Sequence, residues 1–343
     1  MTAATLTGPP AGLWTLAWRR LRADRVAMLS LAVVAAFLLM LALSASGLVA
    51  ADWEDEVGVN YAPPGFVGAG VAGAAPSVAL PEQAALPDNP FDPLADDIRS
   101  LKAQLAARDD AAPARARRAT LPFGGDKWGH DIIKKTIKGG ETSIVVGLAA
   151  AALAVGIGTV FGALSGYWGG VVDDVFNWFY SIFTAIPSVL MILAVAAVLQ
   201  QRGVATIVLI LGLTGWTGPY RLIRAEYIKH KGREYVLAAD AIGASHWRKM
   251  FSHIFPNVSH VALVQLSILV VGFIKAEVIL SFLGFGVPVG VVSWGSMLNE
   301  AQNELILGRW WQLTAAAIAM ALLVTAFSLL TDALRDALDP KVK

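Results

Sequence analysis

Apolar residues along this chain run in long unbroken blocks rather than in the short alternations of a soluble core. Uncharged stretches cover residues 26–51, 142–172, 175–201, 203–220 and 310–331, and a further block at 261–284 is interrupted by Lys275 and Glu277. Crossing a hydrocarbon core of about 30 Å takes about 20 apolar residues in helical conformation. The blocks therefore predict an all-α membrane protein with six transmembrane helices.

Arg19, Arg20, Arg22 and Arg25 stand before the first block. A run of this length exceeds a signal-peptide core, so it reads as a retained span whose basic flank holds the N-terminus in the cytoplasm. Alternation then places the loop 221–257 in the cytoplasm, where Arg221, Arg224, Lys229, Lys231, Arg233, Arg248 and Lys249 fall. The turn 167–174 has no basic residue, the connection 285–309 has only Arg309, and the C-terminus, with Arg335, Lys341 and Lys343, ends inside. The expected organisation is a cytoplasmic segment 1–25, a first span 26–51, an external insertion 52–125 and a five-helix core 126–343. The insertion is rich in Ala, Pro and Gly and reads mostly as extended chain. Asp92 can cap a short helix there with Pro93 at its first position, and Leu94, Ile98, Leu101 and Leu105 share one face to about Asp110.

Composition narrows the chemistry. With 56% hydrophobic and 15% charged residues and a net charge of +1, the chain has no basic field for nucleic acid. It has no cysteine, and its five histidines include no H-E-x-x-H, so no metal site is expected. No G-x-x-x-x-G-K-[ST] occurs, which excludes a P-loop for ATP on this chain, and no G-x-S-x-G supports an intramembrane hydrolase. An ion-driven transporter would account for Lys275 and Glu277, but paired broken segments in two repeated halves are not found.

Inside the spans, Gly158, Gly162 and Gly166 recur every four residues and predict close helix packing. Pro187, flanked by Ser181, Thr184 and Ser188, interrupts the third block, and Thr214-Gly215-Trp216-Thr217-Gly218-Pro219 ends the fourth irregularly. Such breaks suit a polar path or a plain kink. Ionisable residues in a span are costly and face an interior, a cavity or a partner, although a lysine can also snorkel. Ser181, Thr184, Gln265, Lys275 and Glu277 are the candidate path residues.

The loop 221–257 is the most specific segment. It reads Arg233-Glu234-Tyr235-Val236-Leu237-Ala238-Ala239-Asp240-Ala241-Ile242-Gly243-Ala244-Ser245-His246-Trp247. Gly243 ends one short helix, Ser245 caps a second, and Trp247, Met250, Phe251 and Ile254 form an apolar stripe before Pro256 stops it. That stripe needs burial against this bundle or in a groove of another protein.

At this point the chain resembles the inner-membrane permeases of binding-protein-dependent ABC importers, in the peptide and nickel branch. Ala238, Ala239, Gly243 and Pro256 fall on that family's coupling motif, E-A-A, three residues, G, nine residues, I-x-L-P, whereas Leu237, His253 and Phe255 depart from it. Pro122, Phe123, Gly124, Asp126, Gly129 and Asp131 resemble the family's segment before its second span. Ser281 to Gly286, Ser293 to Met297 and Leu334 to Pro340 resemble three later signatures. The resemblance implies the type I ABC importer permease fold in a bacterial inner membrane. It implies a second related permease, two cytoplasmic ATPases that bind ATP and Mg, and an external solute-binding protein. No cofactor is expected on this chain. Coupling would fall to Arg233, Glu234, Leu237, Ala238, Ala239, Gly243, Trp247, Met250, Phe251 and Pro256, and the solute would be a peptide, or alternatively nickel or a modified peptide.

Overall fold

The computed structural model describes residues 13–68, 95–109, 117–199, 201, 203–288 and 290–338. Among the described residues the chain is mostly helical, with no β-sheet and three isolated bridges, Gly58–Arg118, Pro64–Leu121 and Gly125–Asp131. The helices run α1 Leu13–Ala23, α2 Arg25–Ala45, α3 Ala95–Asp109, α4 Ile132–Trp168, α5 Gly170–Ala185, α6 Ser188–Leu199, α7 Val204–Thr214 and α8 Thr217–Lys231. Then follow α9 Glu234–Ala241, α10 His246–Arg248, a π-turn Lys249–Ile254, α11 Phe255–Phe282, α12 Trp294–Ile306 and α13 Trp311–Leu338.

Four helical runs are long and apolar enough to cross a membrane: Arg25–Ala45, Ile132–Trp168, His246–Phe282 and Trp311–Leu338. The pair α5 and α6 makes a fifth if taken together, bent by 89° at the break. The bend sits at Pro187, which has no N–H to continue the ladder and restricts the residue before it. The expected fourth span, 203–220, does not emerge as one helix. The 11 residues of α7 reach only about 16 Å, and Gly215 and Trp216 separate α7 from α8.

Helix α4 is the centre of the bundle. A Cβ on Gly158 would lie 2.7 Å from the Trp216 carbonyl oxygen, one on Gly162 2.8 Å from that of Tyr220, and one on Gly166 2.6 Å from that of Arg224. The four-residue repeat thus presses α4 against the backbone of α8, and dispersion contacts over that length hold the pair. On another side of α4, Ile144, Ala151, Val270, Phe273 and Ile274 form the main core with Ile207 and Leu211. Asp24 caps α2 by accepting from the Val26 and Ala27 N–H groups at 2.8 and 3.3 Å.

The two ends of the insertion close on each other. The Gly58 N–H donates to the Gly129 carbonyl, and the Val59 N–H to that of Arg118, each at 2.9 Å. A helix, α3, stands where the short amphipathic one was expected, and its Ile98 and Leu101 are both exposed. Its expected cap Asp92, with Pro93 and Leu94, lies outside the described residues, as does the end of the C-terminal signature, Asp339 and Pro340.

Candidate functional site

Between α8 and α11 the chain folds into a short-helix element at one end of the bundle. Gly232 ends α8, and Arg233 is extended (φ −79°, ψ 146°) before α9 begins at Glu234. At the other end of α9, Gly243 takes φ +80°, a conformation that costs a residue with a Cβ about 1–2 kcal/mol. Its N–H donates to the Asp240 carbonyl at 2.9 Å and that of Ala244 to the Ala239 carbonyl at 3.0 Å, a Schellman closure of the helix. Ser245 then caps the next turn, accepting from the Arg248 N–H at 3.3 Å. An ion pair between Lys249 and Asp240 ties the two short helices together; this hydrogen bond holds Asp240 below the usual carboxylate range.

The inner face of the element is anchored. Val236, Met250 and Ile254 pack with Tyr167, Ile223, Tyr227 and Val258 in one buried cluster. The Tyr227 hydroxyl donates to the Met250 carbonyl at 3.2 Å, and the Tyr167 hydroxyl lies 2.9 Å from His246 Nδ1. The outer face is largely uncovered, apart from an edge contact between the Trp247 and Trp168 rings. Leu237 is 56% exposed, Ile242 83%, Trp247 58% and Phe251 41%, with the Trp247 and Phe251 rings stacked at 5.7 Å.

Two sequence expectations change here. The predicted single stripe divides: Met250 and Ile254 face the bundle, while Trp247 and Phe251 face out. Pro256 does not stop the helix, which continues from His246 to Phe282. The Phe255 N–H reaches back five residues to Met250, and this π-turn accommodates a proline that an uninterrupted α-helix would exclude. Leu237, at the position where the resembled motif has glutamate, belongs to the exposed face together with Ile242, which the residue-level reading did not single out. Its cue was an isoleucine directly before a helix-ending glycine.

The candidate path residues scatter. Ser181 and Thr184 are exposed on α5, their hydroxyls donating to the carbonyls of Asn177 and Tyr180 in their own helix. Gln265 lines a cleft of about 650 Å³ between α8, α11 and the end of α13. Lys275 is exposed and lines a smaller cavity with Asp332 of α13; Ile268 is common to both cavities. Glu277 is elsewhere: 0% exposed, it accepts from the Ser143 and Ser281 hydroxyls, each at 2.6 Å. It lines neither cavity and ties α4 to α11.

A family model described as "Binding-protein-dependent transport system inner membrane component" matches residues 158–343, and one for the "N-terminal TM domain of oligopeptide transport permease C" matches residues 12–64. The chain belongs to this permease family. It is 36% identical over 221 residues to the dipeptide transport system permease of Bacillus subtilis, covering 64% of this chain and 69% of that protein. Against the oligopeptide transport system permease of the same organism identity is 38%, over 64% of this chain and 72% of the relative. The corresponding oligopeptide permease of Haemophilus influenzae is 35% identical over 64% of this chain and 70% of its own length. Accordingly the permease is a multi-pass inner-membrane protein.

Much of the remaining family resemblance has a structural explanation in this permease. Ser281 and Trp294 close around Glu277: the Trp294 N–H donates to Ser143 Oγ at 3.2 Å, and Gly286 and Gly295 leave no room for a side chain beside Ser281. Asp131 caps α4 through the Ile133 N–H at 2.8 Å. Asp126, fully buried, accepts from the N–H groups of Trp128 and His130 and from Lys135 Nζ at 2.7 Å. Burial opposes its charge, but His130 and Lys135 overcome that and hold Asp126 well below the usual carboxylate range. Lys135 also donates to Glu300 at 2.6 Å. Beside them Glu304, 2% exposed, has no hydrogen-bond partner on either carboxylate oxygen, and burial pushes it up to about 7. Lys135, Glu300 and Glu304 were not singled out in the sequence, where a lysine one turn into an apolar helix was the available cue.

Proposed function

We propose that this chain is one permease half of an ATP-driven peptide importer, with the exposed face of the short-helix element as the seat of a cytoplasmic ATPase. The observation carrying this reading is the rigidly backed apolar surface of Leu237, Ile242, Trp247 and Phe251 on a segment with the coupling-motif spacing. Apolar side chains held out on an anchored base favour a partner's groove over water. The relatives' names support a dipeptide or oligopeptide as solute. In this reading the chain crosses the membrane six times, α5–α6 and α7–α8 each serving as a broken span, with both termini in the cytoplasm. A second permease completes the path, two ATPases bind ATP and Mg, and an external binding protein delivers the peptide. Ser181, Thr184 and Lys275 face that path, while Arg233, Glu234, Ala238 and Ala239 shape the coupling helix.

The test is Ile242→Glu beside Gly243→Arg in the assembled complex. Ile242 touches little of its own chain, so the first variant preserves the fold while charging the contact. Peptide-stimulated ATP hydrolysis and peptide uptake both fall at least ten-fold in each. Full activity of both variants rules out this face as the ATPase seat.

A further inference from the structure

The cleft between α8, α11 and α13 has an arrangement that the coupling element does not use. Its rim carries Lys229, Arg233 and Arg335, with His230 and His260, against one carboxylate, Glu226. Glu226 is already engaged: Lys229 Nζ approaches it to 3.0 Å and His230 Nε2 to 3.5 Å. Among the described residues Arg233, His260 and Arg335 make no ion pair. The rim therefore holds an excess of cation with nothing to neutralise it.

Deeper in, the walls change character. Leu222, Val261, Val264 and Ile268 line the interior, and Gln265 presents an amide among them. From His260 to Ile268 along α11 is about 12 Å. The space is thus basic at the end of the bundle that carries the short helices and apolar towards the membrane interior, with a volume of about 650 Å³. Basic pockets between spanning helices at the cytoplasmic face take anionic lipid headgroups. A peptide in a watered path has no need of this division into a cationic rim and an apolar interior.

We propose that this cleft binds the phosphate headgroup of an anionic phospholipid, Lys229, Arg233 and Arg335 meeting the phosphate and the α11 wall receiving the start of an acyl chain. The two outer cations, Lys229 and Arg335, stand on α8 and α13, so the bound lipid bridges two helices that each pack against α11.

The experiment uses the assembled transporter, purified in mild detergent and delipidated. Native mass spectrometry and thermal unfolding follow titration with short-chain phosphatidylglycerol, phosphatidylcholine, or glycerol phosphate. Phosphatidylglycerol is expected to bind and raise the unfolding temperature, with phosphatidylcholine at least ten-fold weaker and glycerol phosphate without effect. Removing two cations in Lys229→Gln/Arg335→Gln is expected to weaken phosphatidylglycerol about thirty-fold, while Lys229→Arg/Arg335→Lys retains it. Val264→Trp, which fills the apolar end without touching charge, also weakens the lipid. Equal binding of the two lipids, or unchanged binding in the double glutamine variant, overturns the proposal. So does stabilisation by glycerol phosphate equal to that by the lipid, which would make the ligand a soluble phosphoester. Displacement of the lipid by transported peptide overturns it as well, by assigning the cleft to the solute path.

Discussion

Glu304 is enclosed near Lys135, Asp126 and Glu300, and neither of its carboxylate oxygens receives a hydrogen bond. Replacing it with glutamine keeps the shape and removes the ionisation. Burial raises this group from 4.5 to about 7, and at about 1.4 kcal/mol per pH unit the native state gives up on the order of 3 kcal/mol when the carboxyl is fully ionised. At pH 4 the native and unfolded chains both hold the proton, so the acid costs nothing. Between about pH 4.5 and 7 the unfolded chain releases it while the native chain keeps it, so stability falls as pH rises and levels off above 7. Glu304→Gln removes that fall. Thermal unfolding of the purified permease in detergent, followed from pH 4.5 to pH 8, is the assay. The variant should match the parent at the acid end and unfold on the order of 5 °C higher at pH 8. A difference independent of pH, or a variant less stable than the parent at pH 8, refutes the argument that an unsolvated, unpartnered carboxyl sits there.

Two further predictions test packing and the neighbouring charge network. Gly162→Ala places a Cβ 2.8 Å from the Tyr220 carbonyl oxygen, whereas at Gly156 in the same helix nothing lies within 4 Å; the first should lower stability by about 1–3 kcal/mol and the second raise it by about 0.5–1 kcal/mol in thermal unfolding. Asp126→Asn leaves Lys135 short of one of its two carboxylates, and loss of a buried partner should cost about 3–5 kcal/mol in the same measurement; a smaller loss would mean that Glu300 alone carries the lysine.

How much of this was legible beforehand depended on whether the signal was local. The glycine repeat at 158, 162 and 166 announced a close helix contact because a missing Cβ has one common use inside a membrane. Gly243 and Ser245 announced the ends of two short helices because left-handed backbone and side-chain capping are made by those residue types. Span counting was weaker. Length and apolarity describe a straight rod, and the stretches around Pro187 and Gly215 are not rods, so the blocks at 175–201 and 203–220 appear as broken or short helices. Lys275 and Glu277 looked alike in sequence, but two residues along a helix they point to different surroundings. Only the partners, Ser143 and Ser281 for Glu277 and the α13 side for Lys275, tell the buried node from the exposed cation.

Pro256 shows how a misread residue alters the mechanical argument. Had the helix stopped there, the short-helix element would hang from the bundle by a flexible joint, and a push on Trp247 or Phe251 would be dissipated in that joint. The π-turn at Lys249–Ile254 instead carries the helix through the proline, so Trp247 and Phe251 of the outer face belong with α11 to one run from His246 to Phe282. The run is held at both ends: near the element by Tyr227 and the buried Met250 and Ile254, and far from it by the hydrogen bonds from Ser143 and Ser281 to Glu277. On the proposed coupling, a displacement at the element tilts or slides the whole run against α4 and α13, and the cavity that responds is the one lined by Lys275 and Asp332. In that reading the Glu277 node is the fixed end of the lever, which gives a buried carboxylate a reason to be there without contact with any solute.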